Sequence, residues 1–167
     1  MTRDLDYRLA ARRDLPQLAD LRWRLAMDDA PTLDQAAHDR FVLDFVTLHE
    51  PQWRPDDLFH FVAADEGRLV AAMSVVIVQK VPAPDDLHGR WGYLTNVYTL
   101  PEARGEGVGS TLLAHVRAWA RDEALELLIV WPSDRSYPFY ERAGFARPKD
   151  PLVLNLSAAR LTGGLAS

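Results

Sequence analysis

The stretch "LPEARGEGVGSTLL", Leu100 to Leu113, constrains this chain more than any other. A proline stops an extended segment, glycines stand at 105, 107 and 109, and an apolar, helix-like run begins at once. Glycine loses more backbone freedom on ordering than any other residue, so three at alternate positions imply that the backbone itself is used. A strand, a glycine-rich turn and a helix N-terminus make a ready anion site. Free N–H groups point outward there, and the helix dipole favours negative charge by about 0.3–2 kcal/mol. Absent β-carbons let a bulky phosphate approach, and Arg104 would add a charge-assisted contact.

The flanking segments put this turn inside a mixed α/β domain. Asp6 to Ala10 reads as a first strand, and Asp14 as the N-cap of a helix carrying Leu15, Leu18, Leu21 and Leu25. Thr32 is a candidate cap for a second helix, with Ala37, Phe41, Phe45 and Leu48 as its apolar stripe. Phe59 to Ala64 and Leu69 to Val78 form a hairpin around Asp65-Glu66-Gly67. The second arm is apolar on both faces, as a central strand would be. Arg90 to Leu100 is β-branched and aromatic, a fourth strand ended by Pro101. The helix after the glycines shows Val108, Leu112, Val116 and Trp119 on one face, with Leu113 and Ala120 alongside. Leu125 to Trp131 is a fifth strand, Tyr137 to Ala143 a short helix closed by Gly144, and Pro151 to Leu156 a last strand. The order is β-α-α-β-β-β-α-β-α-β. One domain over residues 1–167 is expected, with 160–167 as a flexible tail.

Three phosphate-binding signatures compete for the glycines. A Walker-type loop needs Gly-Lys-Ser/Thr at its end, and Gly109-Ser110 lacks the lysine. The dinucleotide fingerprint needs a third glycine where Ser110 or Leu112 stands. Arg/Gln-x-x-Gly-x-Gly/Ala after a strand ending in a hydrophobic residue and proline fits Arg104 to Gly109 position by position.

Composition removes other classes. A formal charge of -5 and a pI near 5.5 disfavour a nucleic-acid binder and mildly favour a cationic small molecule. With no cysteine there is no disulfide, thiolate metal site or thiol nucleophile. The five histidines, 38, 49, 60, 88 and 115, show no close metal-ligand spacing and read as structural or surface residues, so no metal is expected. The charged start is unlike a signal peptide, and the longest apolar run is about half a membrane span. A soluble cytoplasmic protein, with no membrane partner, is the expectation.

At this point the sequence resembles the GNAT superfamily of acetyl-CoA-dependent N-acetyltransferases. "NVYTLPEARGEGVGSTLL" is similar to the family's coenzyme-binding segment. "PSDRSYPFYERAGF" is similar to its downstream helix, where Tyr-x-x-x-Gly-Phe recurs as Tyr140, Gly144 and Phe145. The resemblance covers most of the chain. It implies a mixed, mostly antiparallel sheet flanked by about four helices and splayed between the fourth and fifth strands.

The resemblance also implies a site. The coenzyme pyrophosphate would rest on Arg104, Gly105, Glu106, Gly107, Val108, Gly109 and Ser110. Its pantetheine arm would pair with Val97, Tyr98 and Thr99, with Leu128 to Trp131 as the opposite wall. An N–H near Val97 or Tyr98 would polarise the thioester carbonyl. A neutral primary amine, from a small molecule or an exposed amino group, attacks directly, and Tyr140 would protonate the leaving thiolate. Asp134 stands where many relatives use an asparagine on the pantetheine. An aspartate cannot donate, so Ser133 or Ser136 would supply that bond, or Asp134 and Ser136 merely cap the helix. The fourth strand offers no acid or histidine as base. Tyr93 and Thr95 would line the acceptor site, and residues 22–60 and 79–90 would set acceptor specificity. Asp56-Asp57 and Asp85-Asp86 would hold a cationic substrate or simply be solvated. Trp53 and Trp91 are candidates for a homodimer contact. A non-catalytic acyl-CoA-binding domain of the same fold, and an unrelated anion-binding α/β domain, stay open as alternatives.

Overall fold

The structure is a computed structural model that describes residues 4–29, 34–53 and 56–147. Its sheet follows the chain: β1 (Asp6–Leu9), β2 (Leu58–Asp65), β3 (Arg68–Gln79), β4 (Arg90–Thr99) and β5 (Leu128–Val130) lie in that spatial order. The first four strands pair antiparallel and β4 pairs with β5 in parallel, so the sheet is mixed and mostly antiparallel. Four helices accompany it: α1 (Leu15–Asp29), α2 (Gln35–His49), α3 (Val108–Asp122) and α4 (Tyr137–Arg142). The strand expected at Pro151 to Leu156 and the tail after it lie outside the described residues. The chain divides after Val130 into two compact units, and α4 belongs to the second.

β3 is central, as its two apolar faces imply: Leu69 to Val75 are all buried. Successive residues of β2 point to opposite faces, and each face meets a different layer. Phe59 and Phe61 pack on Trp119 of α3, with ring centroids 4.7 and 5.0 Å apart. His60, between them, faces His49 of α2 at 6.2 Å. α3 therefore covers one face and the α1–α2 pair the other. α3 buries Val108, Leu112, Leu113, Val116 and Ala120, a stripe at helical spacing.

Four local expectations need correction. Asp14 is not the N-cap of α1. A 3₁₀ turn, Arg12–Asp14, precedes the helix, and the Asp14 carboxylate accepts from Ala11 N at 2.6 Å and Arg8 Nη1 at 2.6 Å. The buried carboxylate faces backwards, toward the turn and the arginine on β1. α2 is capped by Asp34, whose side chain accepts from Ala37 N, two residues after Thr32, itself outside the described residues. Leu48 is 65% exposed, because α2 presents Phe45 and His49 to its neighbours and turns Leu48 to solvent. β5 is three residues long rather than seven, with Leu127 and Trp131 about half exposed.

Candidate active site

β4 changes its hydrogen-bonding phase halfway along, and this shapes the site. Gly92 N donates outward, to Leu127 O at 3.0 Å, so the even residues of the first half face β5. Leu100 N donates the other way, to Val70 O at 2.9 Å. In a regular strand all even residues would face the same neighbour. The inversion comes from an extra residue: Ser74 pairs with Thr95 but Ala72 with Tyr98, and between them Asn96 adopts a left-handed φ of 52°. Beyond it Tyr98 faces β3, while Val97 and Thr99 turn their peptide groups to the opposite edge. β5 pairs only with Gly92, Tyr93 and Leu94, so among the described residues no strand covers that edge from Thr95 to Thr99. Of the two residues expected to offer a free N–H, alternation selects Val97 over Tyr98.

The opened edge runs straight into the glycine turn. A 3₁₀ turn, Pro101–Ala103, follows Leu100, and Gly105 and Gly107 adopt φ of 82° and 80°. An added β-carbon at either would meet open space, so glycine is required there by backbone conformation and not by crowding. Gly107 is the N-cap of α3, and Thr111 N returns to Gly107 O at 2.9 Å. The first-turn amides of Val108, Gly109 and Ser110 have no acceptor within the helix, the arrangement an oxyanion needs.

Arg104, expected to add a charge-assisted contact to a phosphate, also has partners within the protein. Its Nε donates to Thr99 O at 2.9 Å, its Nη2 donates to Asp28 of α1 at 2.7 Å, and the guanidinium lies 5.4 Å over the Tyr98 ring. Burial, with the nearby Asp28 carboxylate, raises the Tyr98 phenol above its ordinary range. Arg104 thus ties the end of β4 to α1, and a phosphate on it would compete with Asp28.

In the second unit the Tyr-x-x-x-Gly-Phe pattern is a helix terminus. Phe145 N donates to Tyr140 O at 3.1 Å and Gly144 N to Glu141 O at 3.0 Å, a Schellman pair. The Phe145 and Tyr140 rings lie 5.6 Å apart, the apolar contact that accompanies such a cap. Tyr140 is buried, also against Phe139. Ser136 does not cap α4: its hydroxyl donates back to Ser133 O at 2.8 Å, beside Ser133 Oγ at 3.1 Å. Asp134 opens the 3₁₀ turn Asp134–Ser136 that leads into α4.

Sequence reasoning missed Asn96 and His60. Asn96 carried a signal, since asparagine is depleted in strands and tolerates left-handed backbone, yet it stands in a β-branched run. His60 carried none. Among the described residues no group of three or more His, Cys, Asp or Glu is placed to hold a metal, and no helix is long and apolar enough to cross a membrane.

Known proteins share this fold. The model of the Acetyltransferase (GNAT) family matches residues 16–145. A glucosamine 6-phosphate N-acetyltransferase of Trypanosoma brucei brucei is 31% identical over 91 residues, 54% of this chain and 59% of that protein. The chain thus spans about three-fifths of that relative's length. A predicted acetyltransferase of Clostridium acetobutylicum, solved with acetyl-CoA, superposes with a TM-score of 0.70 at 24% identity, covering 91% of this chain and 96% of that one. The Arabidopsis thaliana glucosamine-6-phosphate N-acetyltransferase superposes with a TM-score of 0.66 at 18% identity, covering 92% and 99%. These two likenesses concern the fold. With a family model matched over most of its length and an opened β4 edge leading into a glycine-rich helix start, the chain belongs to the GNAT acetyltransferase family.

Proposed function

We propose that the chain moves an acetyl group directly from acetyl-CoA to a primary amine of a small molecule or an exposed amino group. The observation that carries this reading is the edge of β4 beyond Leu94, which no strand covers among the described residues and which ends in the amide-rich start of α3. Gly105, Glu106, Gly107, Val108, Gly109 and Ser110 would hold the pyrophosphate, and Val97 and Thr99 would pair with the pantetheine arm. Arg104 would join them by leaving or sharing Asp28. The Val97 N–H would donate to the thioester carbonyl and draw charge from the carbon that the amine attacks. As the N–C bond forms the C–S bond breaks, and Tyr140 would give its proton to the departing sulfur. Proton loss from the amine would run to solvent, since β4 carries no acid or histidine. Ser133, with its hydroxyl beside Ser136, is a candidate donor to the coenzyme where Asp134 cannot donate.

Calorimetric titration with acetyl-CoA, beside ATP, is the first test, followed by thiol release across an amine panel that includes glucosamine 6-phosphate, the substrate named for the trypanosomal relative. Saturable binding of acetyl-CoA but not ATP, with turnover of at least one amine, is expected. Tyr140→Phe should then lower kcat by about 10²–10⁴ and leave acetyl-CoA binding within a few-fold. A protein that binds no CoA ester would overturn the reading, and full activity in Tyr140→Phe would remove the tyrosine from it.

A further inference from the structure

Asn96 combines two unusual features at one residue. It is the only strand residue with a positive φ among the described residues, and its Oδ1 is buried without a hydrogen-bond partner there. Such costs persist where the surrounding structure fixes them, and they gather at functional positions. Here the surroundings can be named. Asn96 Nδ2 lies 3.5 Å from Ser74 Oγ, a long contact, and Ser74 Oγ lies 2.8 Å from Nδ1 of His60. Ser74 is 2% exposed and pairs directly with His60 across the β2–β3 ladder. A polar row therefore crosses three strands on the face covered by α1 and α2, and it ends at the residue that inverts the phase of β4.

Asn96 Nδ2 donates to Ser74 Oγ, and with the imidazole proton on Nε2 the Ser74 hydroxyl donates to His60 Nδ1, which links the three side chains in one direction. Burial, reinforced by His49, brings His60 down to about 4, so the ring is neutral near pH 7 and suits this role. Trp53 lies parallel to it at 6.2 Å, with the planes 13° apart.

We propose that Ser74 and His60 are positioning residues for acetyl transfer: they hold Asn96 in its left-handed conformation, which turns the Val97 N–H toward the open edge of β4. This rests on the acetyl-transfer reading above, in which that N–H meets the thioester carbonyl. Without the extra residue, Val97 would face β3 and the edge would present Tyr98 instead. In this role the row acts through the backbone of β4.

The test is isotope-edited infrared spectroscopy of acetyl-CoA labelled with ¹³C at the carbonyl, bound to the chain. It reads the hydrogen bond to the carbonyl without needing an acceptor amine. Wild type should shift the bound carbonyl band to lower frequency. Asn96→Ala and Ser74→Ala should lose at least half of that shift with dissociation constants within about threefold, because the pyrophosphate contacts lie elsewhere. Asn96→Gly, which adopts positive φ freely, should keep most of the shift, and adding it to Ser74→Ala should restore what Ser74→Ala loses. With an amine that turns over, kcat should follow the band, falling at least tenfold in Ser74→Ala. A wild-type band in both alanine variants overturns the proposal while leaving acetyl transfer intact. Equal loss in Asn96→Gly and Asn96→Ala also overturns it, because the side chain itself would then be the ligand. Absence of acetyl-CoA binding in wild type instead overturns the acetyl-transfer reading.

Discussion

Acidifying the protein from pH 7 to pH 5 should weaken it through His60, and one substitution should remove that part of the loss. The imidazole is shielded between the sheet and α2, and burial first, then repulsion from His49, lowers it from an ordinary 6.5 to about 4. Below pH 6.5 the unfolded chain takes up a proton that the folded one refuses until about pH 4. The stability associated with a neutral His60 is thus fully present above pH 6.5, declines as pH falls toward 4, and is flat below. Between pH 6.5 and 5 the loss is about 1.4 kcal/mol per pH unit, hence about 2 kcal/mol in all. Urea unfolding followed by tryptophan fluorescence, at pH 7 and pH 5, measures it in wild type and in His60→Gln, whose amide stays neutral at both. Groups common to both proteins, such as His38 and Asp14, cancel in the difference. Wild type should lose about 2 kcal/mol more than the variant over this interval. Parallel losses would show that His60 titrates as it does in the unfolded chain, and the neutral-row argument would fail with it.

Two further outcomes follow from other parts of the fold. Burial alone would raise the Asp14 carboxyl, but Arg8 and the Ala11 N–H more than offset it and hold it below the ordinary range. Asp14→Ala, which leaves the Arg8 guanidinium and that amide without their acceptor, should cost on the order of 3 kcal/mol in chemical denaturation, and a loss below about 1 would contradict the assignment. Gly107→Ala should cost about 1–2 kcal/mol through its left-handed backbone and weaken acetyl-CoA severalfold, although the new methyl group meets open space. Gly109→Ala, on helical backbone, is the control that keeps its melting temperature.

Much of this was legible in the sequence because it depends on local pattern. Periodicity placed β3 at the centre of the sheet, and the alternating glycines located the start of α3. The helix-closing Gly144 marked the end of α4, where Gly144 N donates to Glu141 O and Phe145 N to Tyr140 O. What was not legible depends on neighbours distant in sequence. Asp14 reads as an N-cap until Arg8 on β1 claims its carboxylate. Arg104 reads only as a phosphate ligand, and its ion pair with Asp28, far earlier in the chain, has no local signal. The phase inversion of β4 depends on a pairing count between two strands, which no single-strand pattern contains. His60 looked like any half-apolar strand residue, and only Ser74 opposite it shows its place.

The edge of β4 that no strand covers among the described residues also bears on solubility. A row of unpaired peptide groups is a template on which another chain can add a strand, the first step toward uncontrolled association. Here the usable run is short. Asn96 breaks the ladder at one end, Pro101 stops the strand at the other, and Arg104 already occupies the Thr99 carbonyl. What remains, about three residues, is shorter than the usual five or six of a stable strand. That length suits a narrow, extended ligand and gives a neighbouring sheet too little to hold.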